Sequence, residues 1–431
     1  MARLVWSLVV VSVAAAVFFA AQRYPHCLNS VQFQHSEAFA SKLKHIRHST
    51  RALDASVQEH SFLLIGGTGF VGTYLAEDLL ARGAKKVSVL SRKLPTGENR
   101  LDGVDYIQGS ITDAETMTRA TKGVSIVFHL VAYYGNPALG HVGGPDSAER
   151  KRSHAINFGG MQNTISACRS NGVKLLIYTS SCDVTFTAAG GYNASEADKP
   201  YATDLGGYQP SHYVLTKSRA EKLALASDDP DGLRVIALRP GGIYGPRENF
   251  FSAKLLALGM ITGSHPLFIP AQNLSPLQVD FTFVYNIVYA HMLAVDRLHR
   301  SLEANADGQT VFHGGEAYYV VDKHPFSLND GLDIVFDALG IRLPALQWLY
   351  VPGWLLKGSA LLTERLDFYA RSWMGVRVPI ALTYHEAMKA CTTETHSTQK
   401  LENHLGWSPV FSHEEGMRFY GADLSRRCGA R

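Results

Sequence analysis

Two side chains four residues apart, Tyr213 and Lys217, could together carry out proton transfer. On a helix, positions i and i+4 lie on one face, one above the other. A free tyrosine has a pKa of about 10, and a neighbouring cation favours the phenolate, which brings the phenol towards the working range of a general base. About one such pair is expected by chance in a chain with this many tyrosines. The pair therefore needs support from its surroundings.

A hydroxyl group, that of Ser181, stands 32 positions before Tyr213 and follows the apolar run Leu175–Tyr178. That run predicts a buried strand. Open α/β sheets bind ligands at the carboxyl ends of their strands, so Ser181 could hold a substrate oxygen beside the phenol. Capping a helix or a turn is the alternative role of this serine.

A second set of residues predicts a dinucleotide site. Gly66, Gly69 and Gly72 follow the apolar run Phe62–Ile65 and open an amphipathic segment, Phe70–Arg82. Without Cβ atoms, the chain can turn tightly at the first glycine, a pyrophosphate can approach the second, and the helix can pack closely at the third. The N–H groups at the start of that helix would face the phosphates. A plain tight turn is the alternative interpretation.

The residues after the next apolar run, Val87–Leu90, bear on the choice of dinucleotide. An acidic side chain there would bind the ribose hydroxyls of NAD, but this chain has Ser91 and Arg92. A carboxylate would repel a 2′-phosphate, whereas a hydroxyl and a guanidinium would bind one. We therefore expect NADP to be preferred, with NAD as the alternative.

The elements that must position these residues form a regular series. Short apolar runs alternate with amphipathic segments from Ser61 to about residue 240, and this pattern predicts an α/β fold with a doubly wound parallel (Rossmann) sheet. Beyond residue 240 the alternation is lost and prolines are frequent, so we expect a smaller C-terminal substrate lobe. The expected strands are Phe62–Ile65, Val87–Leu90, Val104–Ile107, Val124–Val131, Leu175–Tyr178 and Val235–Leu238.

Composition excludes several classes of protein. The 431 residues include 41 basic and 38 acidic side chains, and the net charge of +3 is too small to indicate a nucleic-acid partner. Hydrophobic residues make up 46% and charged residues 18%, which excludes disorder and leaves apolar surface to be explained. The five cysteines are scattered and the histidines form no ligand pattern, so neither a disulfide framework nor a metal site is expected.

Part of the apolar surplus lies at the N-terminus. Leu4–Ala21 carries no charge, and a helix of this length spans about 27 Å, close to the thickness of a hydrocarbon core. We expect a transmembrane anchor over residues 1–21, with a cleaved signal peptide as the alternative. The basic residues after the segment favour a single-pass protein with its main domain in the cytosol.

The domain organisation follows from these features. We expect a polar linker over residues 22–60, a nucleotide-binding domain over 61–240, and a substrate-binding lobe over 241–431 that is interleaved with it. The aromatic stretch Leu346–Leu362 is interrupted by Pro352 and Gly353, so it is not a second transmembrane span. A core helix is one interpretation, and an apolar patch that dips into the membrane is the other.

Taken together in order, these motifs resemble the extended short-chain dehydrogenase/reductase family over about residues 62–418. Within it, the branch of 3β-hydroxysteroid dehydrogenases and sterol-4α-carboxylate 3-dehydrogenases is most similar. The matching segments are Gly66–Gly72, Val127–Ala132, Asn157–Asn163, Tyr178–Ser181, Tyr213–Lys217, Arg239–Pro246, Asp280–His291 and Leu405–Pro409.

The resemblance implies roles for individual residues. Tyr213 would be the general acid/base, Lys217 would lower the pKa of Tyr213 and bind the nicotinamide ribose, and Ser181 would orient the reacting oxygen. Asn157 would complete the catalytic group. The implied cofactor contacts are Gly66, Gly69, Phe70, Val71, Gly72, Ser91, Arg92, Val131, Ala132, Tyr213, Lys217, Pro240, Gly241 and Ile243. Ser91 and the pair Gly109–Ser110 depart from the family pattern at the adenosine end of the cofactor.

The resemblance also implies a function. We expect a membrane-anchored oxidoreductase, in the endoplasmic reticulum, that moves a hydride between the C3 oxygen-bearing carbon of a steroid or sterol and NAD(P). Related enzymes often pair through helices of the nucleotide domain, so a homodimer is also expected. Two alternatives remain at this point: a reductase or epimerase of polar substrates such as nucleotide sugars, and a non-catalytic NADP-binding sensor.

Overall fold

The computed structural model of the chain describes residues 35–134, 148–205, 211–248, 265–269, 277–303, 311–323, 326–327, 348–376 and 383–428. The predicted anchor, residues 1–21, lies outside these ranges. Within them, no helix is both long enough and apolar enough to cross a bilayer.

Seven parallel strands form the main sheet, which confirms the predicted α/β architecture. The described strands are, in chain order, β1 (Ser61–Ile65), β2 (Lys86–Ser91), β3 (Val104–Gln108), β4 (Ile126–His129), β5 (Leu175–Thr179), β6 (Gly191–Ala194), β7 (Arg234–Pro240), β8 (Gly242–Tyr244), β9 (His265–Ile269), β10 (Gln278–Val279), β11 (Phe281–Phe283), β12 (Glu316–Val320), β13 (Phe326–Ser327), β14 (Trp348–Pro352) and β15 (Glu394–His396). The main sheet has the order β12-β7-β5-β4-β1-β2-β3. Six of these strands are the predicted apolar runs, although β4 is shorter than the run Val124–Val131 at both ends.

Both faces of this sheet are buried, which explains why its strands read as continuous apolar runs. Along β1, Phe62 and Leu64 belong to the core on one face, and Leu63 and Ile65 belong to the core on the other. All four are at most 1% exposed. Successive side chains of a strand point to opposite faces, so a doubly covered strand needs apolar residues at every position.

Helices cover both faces of the sheet. The described helices are, in chain order, α1 (Glu37–Ser49), α2 (Leu53–Gln58), α3 (Phe70–Ala81), α4 (Ala114–Ala120), α5 (Ala148–Ser153), α6 (Gly160–Ser170), α7 (His212–Leu225), α8 (Val284–Glu303), α9 (Gly353–Met374), α10 (Tyr384–Ala390), α11 (Gln399–Leu405) and α12 (His413–Cys428). Buried residues of α1, α2, α3, α8, α11 and α12 belong to one core, and those of α4, α6 and α7 belong to the other.

The prediction of a linker over residues 22–60 is wrong for residues 37–58, which form α1 and α2. The side chains of Phe39, Leu43 and Ile46 are at most 4% exposed and lie in the core beside α3 and α8. The Ser36 hydroxyl caps α1 by accepting a hydrogen bond from the Phe39 N–H at 3.3 Å. The apolar residues recur at helical spacing, but the many His, Lys and Ser residues between them conceal the stripe.

A buried carboxylate ties α1 to the rest of the fold. Asp78 of α3 is 1% exposed and accepts hydrogen bonds from Arg47 of α1 at 2.7 Å and from Arg82 at 2.8 Å. The phenol of Tyr285 on α8 donates to the same carboxylate. Burial of a charge is favourable only when it is paired and hydrogen-bonded, and this carboxylate is paired on three sides. The folded unit therefore includes α1.

The part of the chain beyond residue 240 is not a separate body, because β12 extends the main sheet by pairing with β7. The described residues also form three small sheets, with the strand orders β13-β10-β15-β6, β11-β8 and β14-β9. The stretch predicted as a core helix or a membrane patch, Leu346–Leu362, contains β14 and the first half of α9, and residues 346–347 lie outside the described residues. Several large apolar side chains of α9 are exposed, which contradicts the core-helix interpretation for that face.

The burial of α1 leads to a stability prediction. Phe39→Ala should lower the free energy of unfolding by about 3–5 kcal/mol, because it removes a ring that packs against Tyr74, Phe411 and Phe419 in a closed core. Chemical denaturation of the purified full chain measures this change. The control is His45→Ala, at an exposed position of the same helix, which should change stability by less than about 0.5 kcal/mol. Equal effects of the two substitutions would show that α1 does not belong to the core.

Candidate functional site

The glycine loop lies between β1 and α3, where the strand order of the main sheet reverses. Gly66 has a φ of +90°, a conformation that other residues rarely adopt. A Cβ atom on Gly66 would lie 2.8 Å from Cγ2 of Val131, and one on Gly72 would lie 2.5 Å from the carbonyl oxygen of Gly66. Both positions therefore require glycine. The loop is packed as the dinucleotide hypothesis expects at its first and third glycines.

The start of α3 is open to a ligand. Gly69 is the N-cap residue and no side chain caps the helix, so its first N–H groups have no partner within the helix. Thr68 and Gly69 are exposed, and Phe70 and Val71 are half-buried beside them. Among the described residues, a helix N-terminus that has no side-chain cap and follows exposed Thr68 and Gly69 fits a pyrophosphate.

The end of β2 lies beside the glycine loop. The hydroxyl oxygens of Ser91 and Thr68 are 3.0 Å apart, and the Ser91 hydroxyl also contacts the Lys93 carbonyl oxygen at 2.9 Å. The Arg92 side chain is exposed. The Ser91 hydroxyl thus lies at the end of β2 next to the loop, and Arg92 follows it, where the sequence predicts the adenosine end of the cofactor.

Asn157 links the end of β4 to α7. Its amide oxygen accepts from the Tyr133 N–H at 2.7 Å, and its amide nitrogen donates to the Tyr133 carbonyl oxygen at 3.0 Å and to the Thr216 hydroxyl at 2.9 Å. It lies in a π-helical turn, His154–Gly159, between α5 and α6. Asn157 is 2% exposed. It holds the connection that follows Val131 and Ala132 against the helix that carries Tyr213, and its part in the catalytic group stays a prediction.

Ser181 and Tyr213 come together, as the sequence predicts. Ser181 follows β5 and accepts a hydrogen bond from the Asp183 N–H at 3.2 Å, so it caps a short helical turn as well. Tyr213 is in the first turn of α7, and its ring centroid lies 4.6 Å from that of Tyr134. Burial raises the pKa of Tyr213, the charge of Asp183 raises it further, and a hydrogen bond with Ser181 lowers it.

The ammonium group of Lys217 is buried next to the end of β5. It donates to the Thr179 carbonyl oxygen at 2.7 Å and lies 4.2 Å from the ring centroid of Tyr178. Burial lowers the pKa of Lys217 to about 7, although the charge of Glu221 opposes this shift. The carbonyl oxygen and the aromatic ring both favour the charged form. The effect of Lys217 on the pKa of Tyr213 stays a prediction.

One turn further along α7, Glu221 is fully buried and paired with Arg239 of β7. The shortest contact, from Arg239 Nη2 to Glu221 Oε1, is 2.6 Å, and the Tyr201 phenol donates to the same oxygen at 2.7 Å. The charge of Arg239 holds the pKa of Glu221 below its usual range. Lys217 and Glu221 thus attach α7 to two neighbouring strands.

Pro240, Gly241 and Ile243 lie where β7 ends and β8 begins. The Gly241 N–H donates to the Thr282 hydroxyl at 2.9 Å, and a Cβ atom on Gly241 would lie 2.7 Å from the Asp280 carbonyl oxygen. This backbone follows the carboxyl end of β7, at the same edge of the sheet as the residues that follow β4 and β5. Contact of these three residues with a cofactor stays a prediction.

The sequence reasoning missed a charged cluster beside Ser181. Asp183 is 5% exposed and pairs with Lys389 of α10 at 2.5 Å, while His385 Nε2 lies 3.9 Å away. The charge of Lys389 and a hydrogen bond with His385 hold the pKa of Asp183 below its usual range, although burial opposes this shift. The charge of Lys389 also lowers the pKa of Tyr213, against the effect of Asp183. Lys389, from the C-terminal part of the chain, thereby acts on the phenol, and no local spacing in the sequence signals this contact.

Comparison with protein families gives a match over most of the chain. Residues 63–350 match the model described as the 3-beta hydroxysteroid dehydrogenase/isomerase family. The matched range begins at β1 and includes Ser181, Tyr213 and Lys217.

Individual relatives agree with that match. The chain is 30% identical over 384 residues to a Mus musculus protein named 3 beta-hydroxysteroid dehydrogenase type 7, and the match covers 84% of this chain and 94% of that protein. It is 27% identical over 378 residues to an Arabidopsis thaliana protein named 3beta-hydroxysteroid-dehydrogenase/decarboxylase isoform 2, where the match covers 84% of this chain but 62% of the relative. Among solved structures, MoeE5 in complex with UDP-glucuronic acid and NAD has a TM-score of 0.57 at 22% identity, covering 85% of this chain and 99% of that one. The structural likeness shows the fold.

The burial of Lys217 leads to a prediction of pH-dependent stability. The folded chain releases the Lys217 proton near pH 7, whereas the unfolded chain holds it to its ordinary pKa of 10.5. Between these values the unfolded chain binds more protons, so the free energy of unfolding rises with pH through this window. Relative to Lys217→Met, the unmodified chain should gain at most about 1.4 kcal/mol per pH unit from about pH 7 to about pH 10.

Denaturation curves of both chains across this pH range measure the difference. The control is Lys222→Met, at a partly exposed position of the same helix that pairs with Asp204, which should give no such slope. Parallel pH profiles for the unmodified chain and Lys217→Met would contradict the burial of the ammonium group.

Proposed function

The chain belongs to the 3-beta hydroxysteroid dehydrogenase/isomerase family, and from this premise we propose that it is a membrane-anchored oxidoreductase. Its reaction would transfer a hydride between C3 of a steroid or sterol, as hydroxyl or ketone, and NAD(P). The observation that carries the proposal is the meeting of Ser181 and Tyr213 at the carboxyl edge of the sheet, beside a glycine loop that fits a dinucleotide. Two relatives whose names state hydroxysteroid dehydrogenase support the choice of substrate class.

The chain's own residues divide the proton chemistry between them. Ser181 would hold the substrate oxygen through its hydroxyl, and Tyr213 would take the hydroxyl proton during oxidation or return it during reduction. Lys217 and Asn157 would fix α7, and with it the phenol, against the ends of β5 and β4. A bound nicotinamide dinucleotide supplies the hydride acceptor or donor.

The phenol must lose its proton for the oxidative direction, and burial opposes this loss. The Ser181 hydroxyl and the Lys389 charge favour the phenolate, while Asp183 opposes it. Asp183 and Lys389, which form an ion pair, therefore have opposite effects on the pKa of Tyr213. In this proposal Lys389 keeps the Asp183 carboxylate from suppressing ionisation of Tyr213.

The residues present fit the dinucleotide at its phosphates and ribose. The open N-terminus of α3 would bind the pyrophosphate, and Ser91 with Arg92 would contact the adenosine ribose. We propose NADP as the preferred cofactor, because the Arg92 guanidinium would attract a 2′-phosphate. Position 91 is a serine and not an acidic residue, so no carboxylate there would repel that phosphate. A homodimer through helices of the nucleotide domain remains part of the proposal.

The membrane has a use in this reaction. A sterol partitions into lipid, so an anchor over Leu4–Ala21 would keep the site where the substrate is concentrated. We propose the endoplasmic reticulum membrane, with the catalytic domain in the cytosol. The alternative function, a reaction of nucleotide sugars, is supported only by the fold shared with MoeE5. It also gives the apolar segments of this chain no role.

The catalytic role of the phenol is tested by Tyr213→Phe. Loss of the hydroxyl removes the proton acceptor, so we expect turnover of a 3β-hydroxysteroid to fall by a factor of about 100 or more, while cofactor affinity stays within about three-fold. Steady-state rates with purified protein in detergent and cofactor titration by fluorescence give the two numbers. The matched control is Tyr192→Phe, at an exposed position of β6. Near-normal turnover by Tyr213→Phe would refute the mechanism, and tight cofactor binding without turnover on any steroid or nucleotide sugar would favour a sensor.

Cofactor choice is tested by Arg92→Ala. A charge-assisted hydrogen bond to a phosphate contributes about 1.5–3 kcal/mol, so kcat/KM with NADP should fall about 10- to 100-fold and kcat/KM with NAD should change little. Lys85→Ala, at an exposed position before β2, should leave both values unchanged. A preference of the unmodified chain for NAD would overturn the assignment.

A further inference from the structure

A buried imidazole, that of His396 on β15, lies between two carboxylates. Its Nδ1 is 2.9 Å from Asp280 Oδ2, and its Nε2 is 3.5 Å from Glu394 Oε1. The side chain is 1% exposed. A neutral imidazole has one N–H, so one of its nitrogens would present a lone pair to a carboxylate, whereas a protonated imidazole has an N–H for each. The two carboxylates therefore favour the charged form of the ring.

A lysine completes the cluster of charges around this ring. Lys199 Nζ lies 3.2 Å from Glu394 Oε1 and also donates to the Gly190 carbonyl oxygen at 2.7 Å. With the His396 ring charged, two positive and two negative side chains meet. With the ring neutral, one buried carboxylate loses its compensating charge, and such a charge is costly. The buried cluster is balanced only when His396 is protonated.

The other contacts of the ring leave this balance unchanged. The Tyr319 ring of β12 covers His396 with centroids 4.1 Å apart, and the Arg239 guanidinium lies 5.4 Å from the Tyr319 ring centroid. Further titratable groups near the cluster are Asp322, Cys182 and Glu196. Burial lowers the pKa of His396, but the carboxylates of Asp280 and Glu394 outweigh this effect and hold the pKa above its usual value of 6.5.

Through Asp280, the cluster reaches the backbone between β7 and β8. The Asp280 carbonyl oxygen accepts from the Gly242 N–H at 3.3 Å and lies 2.7 Å from where a Cβ atom on Gly241 would be. The carboxylate of the same residue accepts from the His396 backbone N–H at 2.6 Å, besides its contact with the ring. His396 thus holds the residue on which Gly241 and Gly242 pack.

Through Tyr319, the cluster reaches the turn that begins at Ser181. The hydroxyl oxygens of Tyr319 and Thr185 are 2.7 Å apart, and the Thr185 hydroxyl donates to the Cys182 carbonyl oxygen at 3.0 Å. The ring that covers His396 is therefore anchored to this turn. Both backbone segments that border the candidate site are in contact with the cluster.

We propose that His396 is a positioning residue whose buried positive charge, acting through Asp280, fixes residues 240–243 for the nicotinamide dinucleotide. The inference rests on the proposed function for the contact between these residues and the cofactor. When the ring loses its proton, the carboxylates of the cluster repel each other, and Asp280 no longer holds Gly241 and Gly242 in place. The charge is present below the ordinary pKa of 6.5 and is lost as the pH rises through the higher value of the folded chain, so cofactor affinity falls with rising pH.

Cofactor binding tests the proposal without measuring turnover. The dissociation constants of NADPH and NADH are measured by fluorescence for the unmodified full chain and for His396→Asn, which keeps an N–H near Asp280 but cannot titrate. We expect the ratio of the two constants to be at least about five near pH 6 and to approach about one near pH 9.5. The ratio cancels the titration of the cofactor phosphate and of Lys217. His45→Gln, at an exposed position of α1, should give a ratio of about one throughout. A ratio for His396→Asn that does not change with pH would overturn the proposal.

A second variant keeps the imidazole and changes its surroundings. Glu394→Gln removes one of the two carboxylates that favour the charged ring and leaves a side-chain oxygen for Lys199. The fall in cofactor affinity should then occur at least about one pH unit lower than in the unmodified chain. A merely structural role of His396 would not move this pH. An unchanged pH profile would contradict the proposal, and this result does not depend on His396→Asn being folded.

Failure of the proposed function gives a different result. If the unmodified chain binds neither dinucleotide at any pH, the proposed function and the positioning role are both wrong. The charge itself is tested without cofactor, by the difference in urea midpoint between the unmodified chain and His396→Asn. This difference should be largest below the ordinary pKa of 6.5 and should shrink as the pH rises. A difference that is the same at every pH would show that the ring is neutral in the folded chain.

Discussion

The candidate site depends on the buried charges of α7. Lys217 is 1% exposed and its ammonium group is held by the Thr179 carbonyl oxygen, and Glu221 one turn later is held by Arg239. The Lys217 amine and the Glu221 carboxylate would both be costly to bury without partners, so the helix is stable on the sheet only in the position where both are hydrogen-bonded. That position sets the direction of Tyr213, one turn before Lys217, towards Ser181. The catalytic geometry is therefore a consequence of how the helix is attached.

The two halves of the site are built in opposite ways. The half that holds Ser181 and Tyr213 is formed by side chains. The half around Gly66 and Gly72 is formed by backbone, at positions where a Cβ atom would clash. Val131 connects the halves, because it packs where a Cβ atom of Gly66 would lie and is followed by the segment that Asn157 holds to α7. Packed atoms and hydrogen bonds therefore connect the glycine loop to the helix that carries the phenol.

The features that could be predicted from the sequence are those that depend on residues close together in the chain. Fully buried strands such as β1 read as apolar runs, and the glycine loop and the Tyr213–Lys217 pair are spacings within one turn or one helix, so all were predicted. The helix α1 was missed because its three buried residues are outnumbered by polar ones. Lys389 is 206 positions from Asp183, and no rule of spacing relates residues so far apart. Only the fold brings them together.

The structure shows where the few charged residues of the chain lie. Of the 18% of residues that are charged, several are buried in pairs, including Asp78, Asp183, Glu221 and Arg239. Acids in particular are withdrawn from the surface of α9, although acids on an exposed helix face would cost nothing in water. Turning both acids inward while leaving Trp354 and Trp373 outward is unfavourable in water.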